Sequence, residues 1–120
     1  MHIEKIEGMF SVCRAEDLSA APLEDDFCFA EKTDREYSLV CRQEHVPANV
    51  LKREDGWRML RISGTLDFSL VGILSRVALR LAEEGISIFA LSTFDTDYIM
   101  VKSDRFEKAA ELAEEALRSC

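Results

Sequence analysis

Past position 56 the apolar residues fall into regular spacings. Leu60 and Ile62 alternate with Met59 and Arg61 up to Gly64, which predicts a strand over 57–63. Leu70, Val71, Ile73, Leu74, Val77, Ala78, Leu81 and Ala82 then recur at steps of three and four, a wide stripe with Arg76, Arg80, Glu83 and Glu84 opposite it. That spacing predicts an amphipathic helix, with Asp67 or Ser69 placed to cap its start and Gly85 to end it. Residues 86–92 and 97–102, rich in Ile, Phe, Val and Tyr, predict two antiparallel strands around the turn Thr93-Phe94-Asp95-Thr96. Ser103 or Asp104 opens a last helix with an inner face of Phe106, Ala109, Ala110, Ala113, Ala116 and Leu117 and a solvated face of Glu107, Glu111 and Glu114.

The first half is less periodic. It predicts a strand over 9–14, a polar loop over 15–26, and a hairpin whose strands, 27–32 and 37–43, flank Thr33-Asp34-Arg35-Glu36. Pro47 ends that pairing, and the charged run 51–56 (LKREDG) marks the boundary between a strand-rich half, 1–54, and a more regular half, 55–120. The second half reads strand, helix, strand, strand, helix, the split βαβ order of a ferredoxin-like α+β unit that lacks its final strand. An open sheet edge exposes unpaired amides and carbonyls, so a strand from the first half, within 9–14, is expected to fill it.

Charge narrows the partners. Among 120 residues, 23 acids against 15 bases give a net charge of −8, with acids interleaved among the basic residues, which argues against binding nucleic acid or an anionic membrane. No run approaches the roughly 20 apolar residues that cross a bilayer. The N-terminus carries Glu4 and Glu7 where a secretory signal needs a positive end and an apolar block, so a cytoplasmic location is expected. Cys13, Cys28, Cys41 and Cys120 lack Cys-x-x-Cys spacing, and without a secretion signal they read as small buried hydrophobes. His45 follows Cys41 by four residues, about 13 Å along a strand at roughly 3.3 Å per residue, too far for a thiolate–imidazole pair.

One stretch has the makings of a site. From Gly64 to Leu74 a strand hands over to a helix whose first amides and positive dipole end suit a carboxylate, and Gly72 permits close approach to the first turns. The same features also serve plain structure: Gly64 a turn, Gly72 helix packing, Asp67 a cap, Asp95 its own turn. Phe68, Phe89, Phe94 and Trp57 read as core or interface packing.

The segment 64–101 resembles the core of an ACT domain, the ligand-sensing module of amino-acid metabolism, and within it the tandem ACT group related to the cytosolic arginine sensors. Gly72-Ile73-Leu74 falls where that family has its glycine and apolar residues at the first helix, and 81–88 resembles its leucine, acidic, glycine, isoleucine exit. Val71 stands where many members carry proline. The resemblance implies a ferredoxin-like ACT fold in two ACT-like halves, the first shortened. It also implies an amino acid or related small metabolite bound between two copies. Thr65, Leu66, Asp67, Val71, Gly72 and Ile73 would line the ligand, with Thr93, Asp95 and Asp97 as polar partners across the interface. A cationic ligand group would favour Asp67, Asp95 or Asp97.

The expected protein is therefore a non-enzymatic sensor without a cofactor, signalling through a homodimer or another regulatory protein. The alternative is a ligand-free dimerisation module built on a sheet edge. Catalysis is disfavoured: neither histidine neighbours a Ser or Cys nucleophile, and there is no phosphate-binding glycine loop.

Overall fold

The structure, a computed structural model, describes residues 1–64 and 72–118. Its elements run β1 (His2–Ala15), β2 (Phe29–Lys32), β3 (Tyr37–Arg42), β4 (Val50–Ser63), α1 (Ile73–Glu83), β5 (Phe89–Ser92), β6 (Asp97–Lys102) and α2 (Phe106–Arg118), with 3-10 turns at Gln43–His45 and Ser103–Arg105. This is an α+β, ferredoxin-like arrangement. The chain forms two units, Met1–Glu7 with Arg58–Cys120, and Gly8–Trp57. The long strands β1 and β4 each contribute to both.

In the first unit the strand order is β1-β4-β6-β5. The missing final strand is thus supplied by β1, but by the residues before Gly8 rather than by 9–14 as the sequence suggested. Those later residues pair with β3, Phe10 opposite Arg42 through Ala15 opposite Tyr37. The early residues carry Glu4, Lys5 and Glu7 and look like a polar tail. They hold as a strand through partners far along the chain: Glu4 accepts from Arg61 Nη2 (2.8 Å) and Ser63 Oγ, and Ile3 N–H donates to Glu114 Oε1 (2.7 Å). Lys5 pairs with Glu107 at 2.6 Å on the surface, so two of the three glutamates on the solvated face of α2 also tie β1 to the helix.

One layer of this unit is α1 against α2, laid on the sheet. Val77, Leu81, Phe106, Ala109 and Leu112 meet Leu60, Ile62, Ile99 and Val101 in one sealed cluster. Arg58 stacks on the Phe106 ring at 3.9 Å. Among the described residues the helix starts show no side-chain cap: the N-cap of α1 is Gly72, and α2 is led in by the 3-10 turn. The end of α1 follows the pattern that Gly85 predicted: with φ 71°, Gly85 N–H bonds Ala82 O and Ile86 N–H bonds Leu81 O, and Ile86 is buried against the core.

In the second unit the order is β2-β3-β1-β4. The run 51–56, expected as a boundary turn, is instead part of β4: its charged side chains face solvent while the backbone extends beside β1, and Ser11 Oγ donates to Asp55. The predicted strand at 27–32 starts later, at Phe29, because Phe27 adopts a left-handed φ of 64°. Cys28 therefore precedes the strand.

The two units share a repeat. The elements β2, β3 and the first 3-10 turn correspond to β5, β6 and the second at a constant offset of 60 residues (29 to 89, 37 to 97, 43 to 103). The strands β1 and β4 are each 14 residues long, and each has a positive-φ glycine at its seventh position, Gly8 and Gly56, an offset of 48. The two offsets differ by 12 residues, close to the 11 of α1, an element with no described counterpart between β1 and β2.

Candidate functional site

The end of β4 is where the sequence placed a ligand mouth, and several contacts fix it. Gly64, at φ 119°, lies so close to Met1 that a Cβ there would come within 2.9 Å of Met1 Cα. On the other side, Thr96 Oγ1 donates to Ile62 O, which binds the β5–β6 turn to the same strand end. Thr96 was not among the expected site residues. Its only signal in the sequence is membership of a turn.

Of the expected ligand-lining residues, Thr65, Leu66, Asp67 and Val71 lie outside the described residues, as do the expected caps Asp67 and Ser69 and the aromatic Phe68. Gly72 is described: it stands at the N-cap of α1 with φ 84°, and its carbonyl accepts the first helical bond from Arg76 N–H at 2.9 Å. A Cβ at Gly72 would meet nothing within 4 Å among the described residues, so conformation rather than crowding calls for glycine here. Ile73 opens the helix and is buried in the core cluster, 8% exposed.

The three polar candidates sit together at the β5–β6 turn. Thr93 N–H bonds Thr96 O at 2.9 Å and its hydroxyl donates to the same carbonyl at 3.1 Å. Ser92 Oγ donates to Asp97 Oδ1 at 2.6 Å, and Asp95 is exposed. Phe94 beside them is 82% exposed, so of the core or interface packing expected of it the core is excluded. Thr33 N–H bonds Glu36 O at 3.0 Å in the β2–β3 hairpin, the same turn sixty residues earlier.

Behind the strand end, Glu4 is held below the usual carboxylate range, first by the Ser63 hydroxyl and then by Arg61. Arg61 is raised in turn, chiefly by Glu4. This ion pair was missed in the sequence because its members are 57 residues apart. A groove of about 360 Å³ lies on the flank of β1 and α2, lined by Ile3, Lys5, Glu107, Ala110, Glu111 and Glu114. In the second unit, a recess of about 420 Å³ lies among Ser19, Ala21, Glu24, Asp25, His45 and Val46, with His45 Nδ1 2.5 Å from Asp25 Oδ2. Among the described residues, no three His, Cys, Asp or Glu side chains are grouped to hold a metal ion, and no helix is long and apolar enough to cross a membrane.

Known proteins with similar features carry the fold further. No curated protein matches this chain. Among solved structures, a protein of Agobacterium tumefaciens is 32% identical, with TM-score 0.80 over 96% of this chain and 87% of that one. A Vibrio cholerae protein described as of unknown function and a possible transport protein is 19% identical, with TM-score 0.77 over 96% and 88%. The aspartate kinase of Clostridium acetobutylicum is 17% identical, with TM-score 0.68 over 95% of this chain and 33% of the enzyme. The last two are alike in fold alone. The profile of the ACT domain matches residues 52–115, which take in nearly all of β4, α1, the β5–β6 hairpin and most of α2, and the chain belongs to the ACT domain family.

Proposed function

We propose that this chain is a non-enzymatic sensor that binds an amino acid where β4 passes into α1, against a second ACT lobe, and reports occupancy through association. The observation that carries the reading is the start of α1. Gly72 opens the helix in the left-handed conformation and, among the described residues, with no side-chain cap, so the first amides would receive an incoming carboxylate. Thr65, Leu66, Asp67, Val71 and Gly72 would line the ligand, with Ile73 as the buried anchor beneath them. Thr93, Asp95 and Asp97, on the turn that Thr96 fastens to the end of β4, would serve the ammonium or a cationic side chain. The aspartate kinase relative, described as an allosteric enzyme for amino-acid production, supports an amino acid as ligand.

The matching strand orders and the constant offsets favour a tandem pair of ACT-like copies, the first without its long helices, as in the group related to the arginine sensors. The second lobe would then come from a homodimer or another regulatory protein, in the cytoplasm. Calorimetry against the twenty amino acids, run beside size-exclusion chromatography, tests this. Saturable binding by one or a few, with a change in elution, is expected; no binding at millimolar concentration overturns it.

One observation favours a second reading, a ligand-free dimerisation module: Phe94 stands 82% exposed at the tip of the β5–β6 hairpin. Thermal shift separates the two. A ligand at 100 times its Kd adds about 2.7 kcal/mol to the folded state, while a bare interaction module melts at one temperature whatever the metabolite.

A further inference from the structure

Three of the four cysteines come together on one face of the Gly8–Trp57 unit. Ser11 lies opposite Cys41 and Cys13 opposite Leu39, so Cys13 is the diagonal neighbour of Cys41 on the same face. Phe29 lies opposite Val40, and Cys28, one residue before β2, comes level with Cys41 when that register is continued. All three belong to one apolar cluster with Leu39, Ala30 and Val50. Cys41 is fully buried, Cys13 is 4% exposed and Cys28 is half-buried. Ala21 and Val46, which pack on this cluster, also line the 420 Å³ recess, so the cluster borders the recess through these two residues.

We propose that this row of thiols is a modification site: Cys28 takes up a small disulfide from solution, and Cys41 resolves it to a Cys28–Cys41 bond. Register selects the pair. Residues directly opposite on antiparallel strands have Cα atoms about 4.5–5.5 Å apart, inside the roughly 4.4–6.8 Å a disulfide spans, whereas diagonal neighbours at about 7–8 Å fall outside it. In the first step the Cys28 thiolate attacks one sulfur of the external disulfide RS–SR, forming Cys28–S–SR and releasing RS⁻. In the second, the Cys41 sulfur attacks Sγ of Cys28, its proton passes to Cys13, and a second RS⁻ leaves. Two protein thiols are oxidised and one external disulfide is reduced to two small thiols.

Cys13 is placed for its part. The Cys41 thiol hydrogen-bonds the Cys13 sulfur, which favours the Cys13 thiolate and pushes Cys41 up. The lining also selects the oxidant. Burial first, then the charges of Asp25 and Glu24, push the Cys28 thiol up, so the thiolate that attacks is its minor form and the first step is slow. The same two acids border the recess and repel an anionic disulfide. A cationic one such as cystamine is therefore favoured over glutathione disulfide.

The test uses the full chain carrying Cys120→Ser, treated with cystamine or glutathione disulfide under native conditions, alkylated and mapped by peptide mass. The expected product has lost two hydrogens and links Cys28 to Cys41. It forms several-fold faster with cystamine at low salt, and the gap narrows as salt screens the acids. Cys28→Ser abolishes both adduct and link, Cys41→Ser or Cys41→Ala stops at the mixed disulfide on Cys28, and Cys13→Ser slows closure but not the first adduct. A Cys13–Cys41 link, a Cys28 adduct that never closes in the parent chain, or a link formed only in urea overturns the proposal. The parent-chain map decides even where a variant fails to fold.

Discussion

Replacing Gly72 by Ala isolates what the glycine at the start of α1 contributes. Its Cβ would meet no described atom within 4 Å, so no clash enters. At φ 84° the substitution incurs the left-handed penalty, about 1–2 kcal/mol, partly offset by roughly 0.4–1 kcal/mol from the reduced freedom of the unfolded chain. The net loss is about 1 kcal/mol. Gly85 has φ 71° and an equally open surround, so Gly85→Ala should lose the same amount. Gly64→Ala must lose more, because φ 119° combines with a Cβ only 2.9 Å from Met1 Cα. Asn tolerates the left-handed region, so Gly72→Asn should recover part of the loss. Urea titration followed at 222 nm is the assay, since the two described α-helices both belong to the Met1–Glu7, Arg58–Cys120 unit. A neutral Gly72→Ala, or a Gly64→Ala no worse than Gly72→Ala, would refute this account of the mouth.

Two further substitutions probe the strand end. Glu4 has a folded pKa below its ordinary 4.5, so its contribution to stability is present above pH 4.5 and is lost as pH falls through the folded value. Glu4→Gln should therefore melt lower than the parent at pH 7 and converge with it in acid, as read by Tm against pH. Thr96→Val removes the hydroxyl that bonds Ile62 O and should destabilise by about 1 kcal/mol in urea titration, loosening the turn that carries Asp95 and Asp97.

The elements that could be read from the sequence are those whose causes lie within a few residues. The stripe of α1 closes on Val77 and Leu81, Gly85 ends the helix, and the turns at Thr33 and Thr93 join the strands they were expected to join. What could not be read has distant causes. The polar start of β1 becomes a strand beside the end of β4, and the charged start of β4 beside the later residues of β1, with Glu4 answered by Arg61 and Ser11 by Asp55. The recurrence of element lengths has little trace in the residues: from β2 through the first 3-10 turn, at the 60-residue offset, only Phe29 with Phe89, Ala30 with Ala90 and Thr33 with Thr93 are identical, and along β1 and β4 only the glycine is. The polar half of the proposed site was legible as a turn of Thr and Asp, but its attachment to β4 through Thr96 depends on a carbonyl 34 residues away.

The same repeat implies that the two units differ in how firmly they hold. In one, α1 and α2 seal the sheet with Val77, Leu81, Phe106 and Leu112, each at most 2% exposed, and Arg105 Nη2 clasps Glu84 O at 3.2 Å to join the helix ends. In the other, the connection corresponding to β4–β5 is shorter by about the length of α1. Short turn bonds such as Asp25 N–H to Pro22 O hold it, and it rests on small side chains, Ala21 and Cys28. Burying a large aliphatic side chain contributes about 1.5–3 kcal/mol, several times what an alanine can, so the Gly8–Trp57 unit should open first. Trp57, the one tryptophan, belongs to that unit and is 7% exposed, so its fluorescence reports there while ellipticity at 222 nm reports on the helical unit. In urea, the fluorescence transition should come at lower concentration than the ellipticity transition. Coincident transitions would mean that β1 and β4, which run through both units, couple them into a single cooperative fold strongly enough to erase the difference in their cores.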